Sequence, residues 1–429
     1  MLPQPILVKK YGGTSVADPE RIRKVAAGLA RDHRRRRPQV VVVSAMAKTT
    51  DELLGLARQV SSRPHPRELD MLLATGEQIS IALLAMAMHE NGVQAVSLTG
   101  AQCGIVTDGN FSRARIQAIR SDRIEERLGA GQVVFVAGFQ GVTAGDEITT
   151  LGRGGSDTTA TALAAALGAR RCQIFTDVEG VFTADPRIVP EARLLRYISY
   201  PEMLEYAASG SKVLHPRCVE IANRHQVPLQ VLSSFGAEGD WEASRRRGTV
   251  VVKEEQVEQA AITGVTAESD IARVALTRVQ DVPGIAALIS EALAEAGVQI
   301  RLIIQGLRHD QSNDVSLLID LENADKAEEV LRRIASDVGA EKVEVDREAG
   351  VVAIIGSGVA SFPGVAAEFF RALAREGINI ELISSSEVRI ACIIRASELE
   401  KAVRSVHRAF QLERLERRLR PEASAQGED

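Results

Sequence analysis

The sequence has few cysteines, and their spacing suggests no structural role for them. The four, none of them in a CxxC pair, are Cys103, Cys172, Cys218 and Cys392. This spacing gives no indication of a zinc site or a disulfide framework. Free thiols are typical of proteins in the reducing cytoplasm. The first five residues lack the profile of a signal peptide, in which a basic segment is followed by an apolar one. We therefore expect a cytoplasmic protein.

An excess of positive charge is also missing. The chain has 52 Lys and Arg against 57 Asp and Glu, a net charge of −5, which argues against a nucleic-acid partner. No run of about 18 apolar residues is evident, so we expect no membrane segment. What is present is a globular composition, 45% hydrophobic and 25% charged. Its 429 residues predict two to four domains at roughly 100–200 residues each.

In the first half of the chain, apolar β-rich runs alternate with Ala- and Leu-rich helical runs. Val40–Val43 and Val133–Val136 are apolar throughout, as strands of a parallel sheet covered on both faces must be. The segment Ile116–Leu128 is predicted to be one of the helices. The pattern predicts an α/β domain, a three-layer sandwich with a mainly parallel central sheet.

An internal repeat follows. Val282–Ile300 aligns with Phe362–Ile380 at an offset of 80 residues, with nine of nineteen positions identical. Each copy reads as loop, amphipathic helix, glycine stop and strand, and further strands flank it. The repeat predicts two small α+β units, each with a sheet on one side and helices on the other.

These patterns define the predicted domain limits. We expect the α/β domain at 1–248, a linker at 249–262, the α+β units at 263–342 and 343–415, and a polar tail at 416–429. The last residues, 421–429, lack apolar periodicity and are expected to be disordered.

A first candidate site lies at Lys10–Ser15, directly after the first strand. Gly12 and Gly13 allow backbone N–H groups to approach an anion, and Lys10 adds a full positive charge. A helix should follow, with Asp18 as N-cap and Pro19 as its first residue. The alternative interpretation is a purely structural glycine turn.

A second candidate lies at Gly152–Thr159, before an Ala-rich helix. Ser156 or Asp157 could serve only as the helix N-cap. Arg153 between glycines argues for more, because a guanidinium beside open backbone is a good receptor for carboxylate or phosphate.

Two further segments resemble ligand loops. Phe175–Arg187 presents Asp177 and Asp185 after a strand, where α/β sheets hold ligands, although turn chemistry alone explains such residues. Gly210–Pro216 places Lys212 after a small-residue turn, where a plain surface lysine is equally compatible.

The candidate segments occur together and in order, and with them the chain resembles the aspartokinases of the amino-acid kinase superfamily. The motifs are KKYGGTSV at 9–16, VVVSAMAKTTDELL at 41–54, GEQIS at 76–80, GRGGSDTTA at 152–160, TDVEGVFTADPR at 176–187 and SYPEMLEYAASGSKVLHPR at 199–217. The repeated units match the paired ACT domains of that family. The resemblance covers nearly everything from Ile6 to Phe410.

The resemblance implies phosphorylation of aspartate by ATP and assigns residues to it. Lys10, Asp157 and Arg153 would be catalytic, with Asp157 orienting Lys10 and substrate rather than removing a proton. ATP would be held by Lys10, Gly12, Gly13, Ser44, Thr176, Asp177, Phe182, Asp185, Arg187 and Lys212. Aspartate would be held by Thr50, Glu77, Phe139, Arg153, Gly155 and Ser156. Mg²⁺ is expected to bind mostly through the phosphates, with no dedicated protein ligands.

The resemblance also implies feedback regulation by threonine, lysine or both, and self-association through the ACT domains. The effector residues would be Asp281, Pro283, Gly284, Ile285, Ala286, Gln299, Ile300, Gln305, Asn379, Ile380, Ser386 and Glu387. The first unit departs from the family at Gln299-Ile300-Arg301, where an Asn-x-Asp pattern is usual; a guanidinium in place of a carboxylate changes which part of an amino acid can be held.

Two rival interpretations remain open at this point. One is another kinase of the superfamily, acting on acetylglutamate or a nucleotide, which the paired ACT repeats argue against. The other is a non-catalytic amino-acid sensor with a decayed kinase fold, which the presence of Lys10, Glu77, Arg153 and Asp157 argues against.

Overall fold

The structure is a computed structural model that describes residues 5–35, 37–211, 213–235, 248–258, 260–308 and 312–420. Its largest element is an eight-stranded sheet. The strands in spatial order are β10 (Tyr197–Ser199), β12 (Thr249–Val252), β11 (Leu229–Ser233), β9 (Arg171–Thr176), β1 (Leu7–Tyr11), β2 (Gln39–Val43), β6 (Val133–Ala137) and β3 (Ala95–Leu98). All neighbours are parallel except β11 and β12.

Helices cover both faces of this sheet. They are α1 (Pro19–His33), α2 (Thr49–Val60), α3 (Pro66–Leu73), α4 (Thr75–Glu90), α5 (Asp122–Gly129), α6 (Gly155–Ala166), α7 (Tyr200–Ala208) and α8 (Pro216–His225). Alternate valines of β2 belong to different cores: Val40 and Val42 pack in one cluster with Leu163 of α6, Val41 and Val43 in another with α1 and α4. The predicted three-layer sandwich is therefore confirmed.

A second, four-stranded sheet lies beside the large one. Its strands in order are β5 (Ile116–Ile119), β4 (Ile105–Thr107), β7 (Gln140–Val142) and β8 (Ile148–Thr150). The helix predicted over Ile116–Leu128 is wrong in its first part, because Ile116 and Ile119 pair with β4 and only the segment after Ser121 is helical. Tertiary pairing here decides the structure of a short apolar segment.

The C-terminal half forms two α+β units, each a four-stranded antiparallel sheet with two helices. We call residues 271–346 the first unit; its strands in order are β15 (Ile300–Leu307), β16 (Ser312–Asp320), β14 (Ile271–Gln280) and β17 (Lys342–Asp346), and its helices are α9 (Ile285–Glu295) and α10 (Ala324–Arg333). The second unit comprises residues 264–268 and 349–415. Its strands in order are β13 (Gly264–Glu268), β18 (Ala349–Ile355), β20 (Arg389–Arg395) and β19 (Leu382–Ser385), and its helices are α11 (Val365–Arg375) and α12 (Leu399–Ala409).

The repeat has closely similar local geometry in the two units. Gly284 and Gly364 precede α9 and α11 with φ values of 101° and 91°, and Gly297 and Gly377 follow those helices with φ values of 69° and 70°. Only glycine adopts such angles without strain. The identical glycines of the two copies therefore mark the start and the end of each helix.

The sheets do not follow the predicted domain limits. Strand β12 lies in the predicted linker 249–262 yet joins the eight-stranded sheet, and β13 lies in the predicted first unit yet pairs with β18 of the second. The predicted limit between 342 and 343 cuts β17, which pairs with β14 of the first unit. The first unit is thus inserted into the chain of the second.

Part of the predicted tail is ordered within the fold. Arg417 is buried, and its guanidinium lies 2.6 Å from the carboxylate of Glu202 on α7. Leu419 forms a bridge with Val257. The disorder expected for 421–429 concerns residues outside the described ranges.

One stretch, Pro66–Glu90, has the length and mean hydropathy of a membrane span, contrary to the expectation from the sequence. It consists of α3, α4 and the residue between them, and 56% of its most apolar window is buried inside the protein. Because a core helix passes the same test, this is weak evidence for a membrane segment.

Candidate active site

The predicted site residues converge at the carboxyl ends of four adjacent central strands. The loops after β1, β2, β6 and β9 are joined by backbone hydrogen bonds: Gly12 N donates to Phe175 O at 3.3 Å, Ser44 N to Tyr11 O at 3.1 Å, and Gly138 N to Val43 O at 3.0 Å. This edge is where open α/β sheets hold ligands.

A cleft of about 310 Å³ opens at this edge. All of the predicted catalytic and substrate residues line it, and so do two further predicted ATP residues, Gly13 and Ser44. The catalytic and substrate residues are Lys10, Thr50, Glu77, Phe139, Arg153, Gly155, Ser156 and Asp157. Ala45, Ala47, Gly152 and Gly154 complete the lining. The structure therefore brings together side chains that are up to 147 positions apart in the sequence, counted from Lys10 to Asp157.

A lysine and a carboxylate form an ion pair inside the cleft. Lys10 Nζ lies 2.7 Å from Asp157 Oδ1, and both side chains are 12% exposed. Asp157 is in the first turn of α6. The N-cap of this helix is Gly154, which lies in the left-handed region at φ 66°, and no side chain makes a capping hydrogen bond there. The alternative in which Ser156 or Asp157 only caps the helix is thus wrong, and the Asp157 carboxylate pairs with Lys10 instead.

Two glycines permit close approaches that shape the cleft. A Cβ on Gly13 would lie 2.7 Å from Ala45 O, so the loop after β1 can touch the loop after β2 only without a side chain there. A Cβ on Gly154 would lie 2.3 Å from the ring of His215. The His215 ring packs against this glycine. Burial lowers the pKa of His215, so the ring is uncharged at neutral pH.

Glu77 is a buried carboxylate with one unused oxygen. Oε1 accepts a hydrogen bond from Ala45 N at 3.1 Å, whereas Oε2 is buried and has no hydrogen-bond partner. Burial raises the pKa of Glu77 to about 7, against the opposing effect of the Ala45 N–H. A cationic group entering the cleft would satisfy Oε2 and favour the ionised form.

Arg153 stands at the mouth of the cleft with its side chain 80% exposed. Nη2 donates a hydrogen bond at 2.7 Å to Oε2 of Glu322, which belongs to the first unit. The cation predicted to receive a substrate carboxylate thus already holds a carboxylate of the protein itself.

Five predicted nucleotide residues lie at the end of β9 and in the loop that follows. Thr176 ends β9 and donates a hydrogen bond to Asp177 at 3.0 Å. Arg187 lies 2.6 Å from Asp185, and this contact lowers the pKa of the Asp185 carboxyl. Phe182 forms a bridge with Leu194. None of the five lines the cleft, and Lys212 lies outside the described residues.

The sequence analysis assigned Ser44 of the loop after β2 to the site but missed the part that the backbone of this loop plays. The backbone N–H of Ala45 is the hydrogen-bond donor to Glu77, a role that no residue type reveals. Ala47 has φ 34°, in the region that favours glycine, and its N–H donates to Gly13 O at 3.1 Å. A residue with a side chain here therefore carries backbone strain.

Both α+β units contact the C-terminal end of α7. From the first unit, Arg301 donates to Ala208 O at 2.8 Å and forms an ion pair with Glu268 of β13. From the second, Arg389 donates to Ser209 Oγ at 3.0 Å. Cations are stabilised at a helix C-terminus. The segment that leads on to His215 is therefore tied to both units.

The predicted effector residues lie in both units, and two of them in the first unit, Gln299 and Ile300, match Asn379 and Ile380 in the second. The loop before α9 contains Asp281, Pro283 and Gly284, and the first turn of α9 contains Ile285 and Ala286. Gln299 lies just before β15, and Ile300 and Gln305 lie in it. In the second unit, Asn379 and Ile380 follow α11, and the turn between β19 and β20 contains Ser386 and Glu387. Asp281 accepts a hydrogen bond from Asn313 at 2.9 Å. Arg301 is already occupied by Glu268 and Ala208.

Comparison with known proteins agrees with this architecture. Residues 5–233 match the amino acid kinase family, and residues 277–333 and 352–410 match the ACT domain. Over 413 residues the chain is 49% identical to the aspartokinase of Mycolicibacterium smegmatis, covering 95% of this chain and 96% of the relative. It is 47% identical to the aspartokinase of Thermus thermophilus over 411 residues, covering 95% and 99%.

Solved structures give the same assignment. The crystal structure of E. coli aspartokinase III in complex with aspartate and ADP (R-state) matches with a TM-score of 0.79 at 27% identity, covering 94% of this chain and 99% of that one. The same enzyme in complex with lysine and aspartate (T-state) matches with a TM-score of 0.72, again at 27% identity and with coverage of 94% and 99%. The chain therefore belongs to the amino acid kinase family and, within it, to the aspartokinases with ACT domains.

Proposed function

We propose that this aspartate kinase transfers the terminal phosphoryl group of ATP to the side-chain carboxylate of L-aspartate. The product is 4-phospho-L-aspartate, and the reaction is the first step towards lysine, threonine and methionine. The observation that carries the proposal is the cleft itself, which combines the Lys10–Asp157 ion pair with an unpartnered oxygen of Glu77 and the guanidinium of Arg153.

The cleft suits an amino acid with two carboxylates. The buried Oε2 of Glu77 would accept the α-ammonium group, and Arg153 would receive the α-carboxylate, leaving Glu322 as it does so. Thr50, Phe139, Gly155 and Ser156 complete the substrate side. The side-chain carboxylate of aspartate has a reference pKa of about 3.9, so the nucleophile is ionised at pH 7 and needs no general base.

The remaining barrier is repulsion between two anions. Lys10, held by Asp157, places a positive charge where charge spreads over the transferring group. Gly12, Gly13 and Ser44 would receive the ATP phosphates together with Lys10. The loop after β9 would hold the rest of the nucleotide through Thr176, Asp177, Phe182, Asp185 and Arg187, and Lys212 is proposed as a further nucleotide residue from the family resemblance alone.

Magnesium would arrive bound to ATP. The hydroxyl and carboxylate oxygens of Ser44, Ser156 and Asp157 in the cleft are donors of the kind that Mg²⁺ and its bound water prefer. When bound, the ion would neutralise phosphate charge; the phosphates would supply most of its ligands.

A direct assay tests the proposal. The purified chain is incubated with ATP, Mg²⁺ and, in separate reactions, aspartate, glutamate, acetylglutamate or UMP; ADP is measured, and hydroxylamine traps any acyl phosphate. We expect ADP and hydroxamate only with aspartate. Turnover with acetylglutamate or UMP instead would favour another kinase of the family, and no turnover with any acceptor would favour the non-catalytic sensor.

We also propose feedback control through the two ACT units, with threonine as the first candidate and lysine as the second. The effector would bind near the loops before α9 and α11, and the ties from Arg301 and Arg389 to the end of α7 would transmit its effect. A thermal-shift screen of amino acids combined with the activity assay tests this. No change in either quantity would refute it.

Self-association is proposed through the outer strands of these units. β15 and β19 are edge strands, and Ile303, Leu307 and Ile383 on them are exposed. Unpaired apolar edges favour pairing with a second chain. Light scattering should show a dimer or larger assembly at micromolar concentration, and a monomer would refute this.

The four cysteines are free and buried, which supports the cytoplasmic location that we propose.

A further inference from the structure

Asp70, on α3, is a fully buried carboxylate outside the cleft. It accepts five hydrogen bonds from two residues far away in sequence. Thr150 donates through its backbone N–H and its hydroxyl, each at 2.8 Å. Ser112 donates through its N–H at 3.0 and 2.8 Å to the two oxygens and through its hydroxyl at 3.1 Å. Buried carboxylates satisfied in this way hold their donors in one fixed geometry.

Both donors belong to the support of Arg153. Thr150 ends β8, three positions before Arg153. The carbonyl oxygen of Ser112 would lie 3.1 Å from a Cβ at Gly152, so this loop forms the wall of the arginine turn. Arg217 ties the same two segments together by donating to Leu151 O at 3.1 Å and Ala114 O at 2.9 Å.

The helix that carries Asp70 also leads directly to Glu77. α3 ends at Leu73, and α4 begins at Thr75, with Glu77 in its first turn. Gln140 fixes the junction by donating to Ala74 O at 2.8 Å. Asp70 thus connects α3 and α4, the helix that carries Glu77, to β8, the strand that leads to Arg153.

We propose that Asp70 is a positioning residue that sets the spacing between Glu77 and Arg153 and so favours ligands that carry an ammonium and a carboxylate at the separation found in α-amino acids such as aspartate. The proposal rests on the proposed function. Asp70 touches neither substrate and acts only through Thr150, Ser112 and the α3–α4 junction.

The test is Asp70→Asn, which keeps the size of the side chain but turns an NH₂ group towards groups that donate hydrogen bonds. We expect the aspartate KM to rise at least tenfold, the ATP KM to change less than twofold, and kcat to fall less than the aspartate KM rises. Thr150→Val, which removes one of the five hydrogen bonds to Asp70, should raise the aspartate KM two- to fivefold. This variant tests the proposal if Asp70→Asn does not fold.

A ligand that lacks the ammonium group, and so cannot bridge Glu77 and Arg153, distinguishes a changed spacing from a general loss of structure. Succinate, which lacks the ammonium group, should inhibit wild type competitively, and its inhibition constant should change less than twofold in Asp70→Asn, because spacing matters only to a ligand that bridges both groups. The matched control is Thr107→Val, which removes a buried hydrogen bond to Thr149 in the same small sheet; it should lower Tm without changing the aspartate KM.

Two outcomes would overturn the inference. One is an unchanged aspartate KM in folded Asp70→Asn and Thr150→Val; the other is an equal weakening of aspartate, succinate and ATP. Either result leaves the proposed function intact as long as wild type phosphorylates aspartate, whereas a wild type inactive on aspartate refutes the proposed function itself.

Discussion

The pKa of Glu77 gives the sharpest prediction of the site. Burial raises it to about 7, so the carboxylate that would hold the α-ammonium of aspartate is about half ionised at pH 7, about nine-tenths at pH 8 and about one-tenth at pH 6. Because the substrate cation needs the ionised form, the aspartate KM of wild type should rise as pH falls from 8 to 6, approaching tenfold per unit below pH 7.

Glu77→Gln removes the charge and keeps an oxygen for the N–H of Ala45. A hydrogen bond to a charged group contributes about 1.5–3 kcal/mol, so the aspartate KM at pH 8 should rise roughly ten- to hundredfold. At pH 6 the two proteins should differ only a few fold, because wild type has by then lost most of its charge. Initial rates at varied aspartate and saturating ATP, at pH 6, 7 and 8, measure both effects.

The same variant should not be less stable. Ionised Glu77 destabilises the fold, because its pKa lies above the ordinary value of 4.5; this destabilisation is absent below pH 4.5 and complete above about pH 7, on the order of 3 kcal/mol. Tm of Glu77→Gln at pH 8 should therefore equal or exceed that of wild type. A pH-independent aspartate KM in wild type, or an unchanged KM at pH 8 in the variant, would refute the assignment of Glu77.

Three further variants test separate parts of the site. Lys10→Ala should lower kcat at least about a hundredfold, since a preorganised charge beside the transferring group is lost, and near-normal turnover in a folded protein would exclude that role. Glu322→Gln should lower the aspartate KM by up to about fivefold, because the exposed pair with Arg153 contributes at most about 1 kcal/mol; an unchanged KM would show that Glu322 does not compete with substrate. Ala47→Gly should raise the free energy of unfolding by up to about 1 kcal/mol in urea titrations by relieving a positive φ, and a loss of stability would mean that the loop is not strained.

The parts of the fold that the sequence predicts are those governed by local rules. The helix after Lys10 begins as its cap residues indicate, with Asp18 accepting a hydrogen bond from Arg21 N at 2.9 Å and Pro19 in the first turn. The apolar runs of β2 and β6 become buried parallel strands. These features depend on residues that are neighbours in sequence.

Features that depend on distant partners escaped the sequence. Asp32 lies within the basic run 31–37, a pattern typical of a solvated helix end, yet it is buried and its carboxylate lies 2.5 Å from Lys9 Nζ. The partner of Arg153 is 169 positions away, in another unit. Nothing in either segment alone favours these pairings, because they arise only when the elements pack together.

The insertion of the first unit has a consequence for how this module can be inherited. Glu268 of β13 pairs with Val351 of β18, so the whole first unit occupies the position of a loop in a β-hairpin. Its own ends also meet, since Arg273 pairs with Asp346. A gene break anywhere between residues 269 and 348 would separate the two strands of that hairpin, whereas a break before residue 264 would leave both sheets whole. A single recombination point can therefore transfer the two units together, as residues 264–420, but cannot transfer one of them without dividing the hairpin, despite the repeat within them.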